Sequence, residues 1–382
     1  MEEDKENIVP KAEPEVTETP EVTAISKDIS GWSNNNVQGI DPEGDITLKC
    51  CNTEDMVTTS FLVSSHVLRL ASPVFKNMLK PNFKEGDQLL MEGKADIKLN
   101  DDEASLLSTV LHILHFHGEV GIDSLDAEKL ARLAILCDKY DLTKALGSWI
   151  TVWFQKAEKT IQTPKDYGFM LLAAYRFNES ERFREISIRA IKNIPNDSTD
   201  DWKNQELLNM MPHSVHYHIS NSIRVALGKL VIDLQNVELS LTKSTKLYET
   251  GIQLCSKCSR ELPNEAKKCH PCSNTVLIRR WCSSEMRIAD FFAKLRKYGL
   301  WPTPQALVEH SVSEMVSRIK QAQDNLWTHK CVGYSTCPLK VNFEGFTNSS
   351  VNVLEHSITG VCLKCIKEDG DWDDSKHCTH GG

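Results

Sequence analysis

A chain of 382 residues is long enough for two or three domains, and its 40% apolar and 25% charged content is that of an ordinary globular protein rather than a disordered or fibrous one. No run of about 18 apolar residues offers a membrane span, and the N-terminus has no basic region followed by an apolar one, so no secretory signal is read there. A nuclear or cytoplasmic location without membrane contact is expected. Residues 1–28 hold nine acidic and three basic side chains, which accounts for six of the nine net negative charges.

With Pro10, Pro14 and Pro20 and almost no large apolar residues, residues 1–40 read as a disordered acidic tail, because burial there cannot offset the entropy of ordering. From residue 41 the pattern changes. Ile46, Leu48 and Cys50 alternate as in a half-buried strand, and TTSFLV at 58–63 is rich in β-branched and apolar residues. In FLVSSHVLRLASPVFKNML, residues 61–79, Val67, Leu68, Leu70, Val74, Phe75, Met78 and Leu79 recur at spacings of three and four, the mark of a helix with one buried face. Ser72-Pro73 divides the run, since proline suits the first turn of a new helix, where its missing N–H would have no partner. A short helix, a break and a second helix are therefore predicted. A polar link follows, then a strand over 95–99. The next helix is opened by Asp101-Asp102-Glu103, whose charges favour the N–H groups of a helix start, and it buries Leu106, Leu107, Val110, Leu111 and Leu114. Another, over 127–140, buries Leu130, Leu133, Ala134 and Cys137. His112, His115 and His117 have no accompanying cysteine or carboxylate motif and read as surface or core histidines.

The segments DPEGDITL, FLVSSHVLRLASPVFKNML, NFKEG, IKLNDDE and AILCDKYDL, in this order and spacing, resemble the BTB/POZ domain over residues 41–155. Ser64 stands where many animal members have histidine, three residues after Phe61, so the likeness is to the fungal type. The resemblance implies an α+β fold, a small sheet with a helical bundle, and a surface that forms a homodimer or recruits protein partners. Phe83-Lys84-Glu85 also matches, residue for residue, the hydrophobic-x-Glu motif of BTB proteins that bind the cullin scaffold of ubiquitin ligases. Phe83 would then fill a groove and Glu85 make polar contacts; otherwise Phe83 merely packs and Glu85-Gly86 makes a turn.

Residues 156–250 continue as helices, with Pro164 and Pro195 as breaks, and resemble in position the helical extension that follows BTB domains. His213, His216 and His218, at the start of the longest helical pattern, read as solvated or capping residues. Between 212 and 250, Ile223, Leu227, Leu230, Leu234, Val237 and Leu241 are spaced 4, 3, 4, 3 and 4 apart, a heptad-like seam. Packing of this seam on the preceding helices is expected in preference to self-association through it.

Ten of the 13 cysteines follow residue 250, and reducing conditions favour metal ligation over disulfides. Cys50, Cys51 and Cys137 read as small buried hydrophobes. In segment 251–285, Cys255-Ser-Lys-Cys258 and Cys269-His-Pro-Cys272 form two knuckles ten residues apart, enough to close a tetrahedron around zinc. The run CSKCSRELPNEAKKCHPC resembles the short zinc ribbon, except that Ser259 and Ser273 stand where the family often has glycine, the residue best suited to a left-handed turn position. His270 is expected to point away from the metal and Cys282 to be a spare thiol. A closed four-thiolate site leaves no position for water, so the zinc is structural.

From Cys255 to Tyr298 ten basic residues face four acids. Arg279, Arg280, Arg287, Lys294, Arg296 and Lys297, beside Trp281, make a candidate nucleic-acid surface. They equally suit the wet face of amphipathic helices over 286–328, with Ile288, Phe291, Phe292 and Leu295 toward a core. Segment 329–382 is rich in cysteine and histidine. A second structural zinc is read there from Cys337, Cys362, Cys365 and either Cys378 or His380, with Cys331 and His329 as substitutes. No phosphate-cradling glycine loop, nucleophile elbow or HExxH motif occurs, and no enzyme is expected. The whole reads as a non-enzymatic protein–protein interaction scaffold. Its alternatives are a cullin-ligase substrate adaptor and a nuclear regulator that binds nucleic acid through the basic ribbon.

Overall fold

The alternating apolar residues of the first third pair into a small mixed sheet. The computed structural model describes residues 37–51, 58–118, 124–301, 309–326, 329, 331 and 336–369. The acidic leader up to residue 36 lies outside these, as do Cys378 and His380. Strands β1 (Val37–Gly39), β2 (Ile46–Cys51), β3 (Thr58–Val63) and β4 (Ala95–Asn100) lie in the order β1-β3-β2-β4. Leu48 faces Phe61 across the antiparallel β2–β3 pair and Ile97 across the parallel β2–β4 pair. That register puts Ile46, Leu48, Cys50, Phe61, Val63, Ala95, Ile97 and Leu99 on one buried face.

The helix, break and helix expected over 61–79 are α1 (Ser65–Ala71) and α2 (Pro73–Met78). Ser72 sits between them fully buried. Its hydroxyl accepts from Phe75 N at 3.0 Å, capping α2, and donates to Tyr140 O at 2.6 Å. Phe75 stacks on Tyr140 at 4.8 Å between ring centroids. The polar link is not a loop: Lys84–Glu92 forms α3, closed by Gly93 at φ 68°. Gly86 lets α3 fold back on the chain leaving α2, since a Cβ there would collide with the Lys80 carbonyl. The acidic triplet before α4 (Ala104–Leu114) does not cap it through a side chain. Asp102 instead turns to α5 (Ala127–Lys139) and its end, accepting from Lys139 Nζ at 2.8 Å and Tyr140 OH at 2.5 Å. A tertiary ion pair has won over a local cap.

Helices α6 (Gly147–Ala157), α7 (Pro164–Phe177), α8 (Ser180–Asn193) and the short α9 (Asp200–Lys203) extend this unit. Thr163 and Asp166 form a reciprocal capping box at the start of α7. Buried Trp202 donates to Pro164 O at 3.0 Å. It also packs edge-on against His216, and both His216 and His218 are core residues rather than solvated caps. Helix α10 (His213–Lys243) buries the whole seam from Ile223 to Leu241. It stops seven residues before the end of the predicted helical pattern, because Tyr248–Cys255 is already strand.

That strand, β5, is the centre of a second antiparallel sheet in the order β6-β5-β7, with β6 at Glu261–Pro263 and β7 at Leu277–Cys282. Helix α11 (Ser284–Lys297) follows, capped by Ser283, with Phe291 and Leu295 buried. Helices α12 (Val312–Asp324), α13 (Pro338–Phe346), α14 (Asn352–Ser357) and α15 (Leu363–Asp369) complete the described chain. Helices α11 and α13 pack on α10, while the segment before α15 is fastened to α8 by Val361 N donating to Ser187 Oγ at 2.8 Å. Among the described residues no helix is long and apolar enough to cross a membrane. Ser72→Ala removes a helix cap and strands the Tyr140 carbonyl, so urea unfolding should show a loss of about 2 kcal/mol; an unchanged midpoint would deny Ser72 this role.

Candidate metal centres

Two clusters of cysteine and histidine could each hold a metal ion. The first is at the tip of the second sheet. β5 ends on Cys255, whose N–H donates to Arg260 O at 3.0 Å while Ser259 N donates back to Cys255 O at 2.8 Å, closing the first knuckle. In the second, Cys269 N donates to Asn274 O at 2.8 Å. Buried Gln253 clamps the intervening loop, its Nε2 donating to the carbonyls of Pro263, Asn264 and Ala266.

The four sulfurs converge. Cys255–Cys272, Cys258–Cys269 and Cys258–Cys272 are 3.4, 3.5 and 3.6 Å apart. A tetrahedron with metal–sulfur bonds of about 2.3 Å requires edges of about 3.8 Å, so small outward shifts of the side chains would seat an ion. Asn274 Nδ2 lies 3.3 Å from Cys255 Sγ and donates to it. Burial pushes the Cys255 thiol up, but this donor and the N–H groups of Cys258 and Lys257 more than offset it and leave the pKa below the ordinary value. Cys269 is pushed up, by burial first and by its sulfur neighbours next. Cys258 is exposed and His270 points to water.

The second cluster unites Cys282, His329, Cys331 and Cys337, all buried. Cys282 closes β7, and Cys337 is the N-cap of α13, a position that favours a thiolate. His329 Nε2 lies 3.4 Å from both Cys282 Sγ and Cys337 Sγ, and those sulfurs are 3.9 Å apart. For metal bonds of about 2.3 Å to sulfur and about 2.05 Å to nitrogen, the expected edges are about 3.8 and 3.6 Å. His329 Nδ1 meets Asp290 at 2.6 Å, which orients the ring and leaves Nε2 for a metal. Although burial opposes its charge, hydrogen bonds with Asp290 and Cys337 raise the His329 pKa to about 9 in the metal-free protein. The hydrogen bond with Cys282 lowers the Cys337 thiol and raises its partner.

Sequence reasoning assigned this centre differently. Cys337 is in it, but Cys362 and Cys365 are not: they sit at the start of α15, packed near α8, while Cys378 and His380 lie outside the described residues. The substitutes Cys331 and His329 take two places, and Cys282, read as a spare thiol, takes the fourth. Cys282 belongs to no knuckle, since its only local signal is its position at the end of a strand. Asn274 and Asp290 were also missed, because hydrogen bonds to ligands have no sequence pattern.

The basic residues are dispersed. Arg279 meets Glu249 at 3.5 Å and Arg280 meets Glu261 at 2.5 Å, both on β7. Lys294 donates to Asn325 O at 3.1 Å, and burial lowers its pKa. Arg296 and Lys297 are exposed in the last turn of α11, where positive charge suits the helix end. Arg287 is fully buried, so it is withdrawn from any phosphate-binding surface. Phe83 is 47% exposed as the N-cap of α3, with Glu85 in the first turn. No protein-family model matches the chain, and no curated protein matches it.

Ser259 and Ser273 have φ of 54° and 55°, the left-handed conformation that glycine adopts without strain. Ser259→Gly and Ser273→Gly should each stabilise the metal-loaded protein by about 0.5–1 kcal/mol, read as a higher thermal midpoint. A lower midpoint would mean that the serine hydroxyls contribute more than the strain costs.

Proposed function

We propose that this protein is a non-enzymatic protein–protein interaction scaffold. In this reading a BTB/POZ-like module of the fungal type spans residues 41–155, and structural zinc at the two centres holds the C-terminal part. The order of β2, β3, α1, α2 and β4 supports the module, and four-ligand clusters with no vacant position support a structural metal.

One observation carries the interaction reading. Helix α10 is apolar on two opposite sides. Opposite its buried seam, Tyr217, Val225, Ile232 and Leu239 each leave more than half of their surface in water. The last three are seven residues apart, which keeps them within about 40° of one another around the helix. Asn221, Gly228 and Gln235 lie along one edge of the stripe, and the exposed Lys229 flanks it on the other between Val225 and Ile232. At 1.5 Å per residue it is about 33 Å long. A largely apolar stripe of this kind fits a second copy of the chain related by a two-fold axis. Four exposed apolar side chains are far fewer than the roughly 20–30 residues a side of a standard interface, so the dimer should be weak and concentration-dependent.

Native mass spectrometry or light scattering of the full chain should therefore show a monomer–dimer equilibrium in the micromolar range. Val225→Glu with Ile232→Lys should abolish it without altering the circular dichroism melt. A chain that stays monomeric at 100-fold higher concentration would remove this surface from the proposal.

A cullin-adaptor version has its own support in Phe83, half-exposed at the start of α3 with Glu85 two residues on in the first turn. Binding to a cullin N-terminal domain should then fall at least tenfold in Phe83→Ala and Glu85→Lys, both placed where neither side chain is in the core. Unchanged binding in folded variants, or none in the wild type, would reject that version. The nuclear-regulator version has less support, because Arg287 is buried and Arg279 and Arg280 already have carboxylate partners.

A further inference from the structure

Arg287 is permanently charged and fully buried, yet among the described residues no carboxylate pairs with it. Glu285, two residues earlier, is exposed to water, where its field is screened. The guanidinium is held by carbonyls instead. Nη2 donates to Ser244 O at 2.6 Å, and Nη1 donates to Cys282 O at 2.9 Å and Lys246 O at 3.1 Å. Its Nε is buried without a partner, and the Tyr248 ring lies 5.7 Å away. Ser244 is the C-cap of α10, so this helix end offers about half a negative charge. Beside these carbonyls, the Tyr248 ring and the screened Glu285, the charge has a sulfur neighbour: Nη1 is 3.6 Å from Cys282 Sγ, a member of the second cysteine–histidine cluster.

Three thiolates and a neutral imidazole around a divalent ion carry a net charge of −1. Asp290 adds a carboxylate, but it bonds His329 and is more than a third exposed. We infer that Arg287 is the counter-charge of the second metal centre, and that a divalent, thiolate-preferring ion bound there locks the joint between α10 and β5. The inference rests on the reading of Cys282, His329, Cys331 and Cys337 as a metal site. With the ion in place, Arg287 lies between a helix end and an anionic cluster, and its burial is compensated. When the ion leaves, that compensation goes, and the carbonyls of Ser244, Lys246 and Cys282 lose their common donor together. Metal binding and closure of residues 244–248 are then one equilibrium. Arg287 is a positioning residue and touches no metal.

The test uses the full chain loaded with cobalt(II), comparing wild type with Arg287→Gln, Arg287→Lys and Cys337→Ser. The wild type should carry two metals by native mass spectrometry. In Arg287→Gln one metal should be lost to a chelator at least tenfold faster, the range seen when outer hydrogen bonds to ligands are removed, while the other leaves at the wild-type rate. The thiolate-to-cobalt charge-transfer band should move to lower energy, because a donor to Cys282 Sγ has gone. Arg287→Lys should recover part of the retention. Cys337→Ser, which leaves Arg287 intact, should speed hydrogen exchange in the peptide covering 244–250 at least tenfold.

Two metals retained equally in Arg287→Gln, or a joint still protected in Cys337→Ser, would overturn the inference while leaving the metal site standing. A wild type with a single metal, held at the first centre, would overturn the site itself. If Arg287→Gln does not fold, the Cys337→Ser exchange result decides alone.

Discussion

Burial of one face of α10 is the constraint on which the rest depends. Its six-residue seam from Ile223 to Leu241 is buried, and the helix is packed by α8 from the N-terminal helices and by α11 and α13 from the C-terminal ones. Each such side chain contributes about 2 kcal/mol when withdrawn from water. A 31-residue helix with one apolar seam must be covered along its length, and elements from before and after it in the chain share that contact. The helix is therefore a shared core element, and the seam that looks in sequence like a coiled coil is already occupied within the chain.

The two candidate metal centres differ in what they would hold. The first closes two turns at the edge of a three-stranded sheet, with Cys258 open to water and Cys272 partly so, and its support is local: Asn274 on a sulfur, Gln253 on the loop. The second draws its ligands from the end of β7, from the chain after α12 and from the start of α13, so an ion there would join elements up to 55 residues apart. A cross-link between distant segments removes more freedom from the unfolded chain than one within a hairpin. Being buried, its net charge also matters more, and the side chain beside it is the buried arginine.

The N-terminal unit shows the same economy of polar groups. Ser72 caps one helix and ties it to the end of another, while Asp102 serves two donors on α5 and Tyr140. Such doubly used buried groups fix the relative placement of elements, because moving either element leaves a donor or acceptor unsatisfied. By contrast the outward faces of α3 and α10 carry apolar side chains that nothing in the described chain covers, and these are the surfaces on which an interaction role rests.

Local periodicity alone determined much of this protein. The break at Ser72-Pro73, the strands read at 46–50, 58–63 and 95–99, the core face of α5 and the long apolar seam were all legible, because spacings of two or three to four residues follow directly from backbone geometry. The first cluster was legible for the same reason: both knuckles are contained in 18 residues, down to the left-handed positions of Ser259 and Ser273. Tertiary structure alone decided the rest. It made a helix of the polar stretch 84–92, and it turned Asp102 from a cap into a partner of α5. It also moved Arg287 from a supposed phosphate-binding face into the core, and it joined Cys282 of β7 to His329, Cys331 and Cys337 out of a tail offering several combinations. In each case the competing arrangements have equally good local chemistry. The outcome depends on which groups the packing of α10, β7, α11 and α13 brings within a few ångströms, and sequence spacing does not encode that distance.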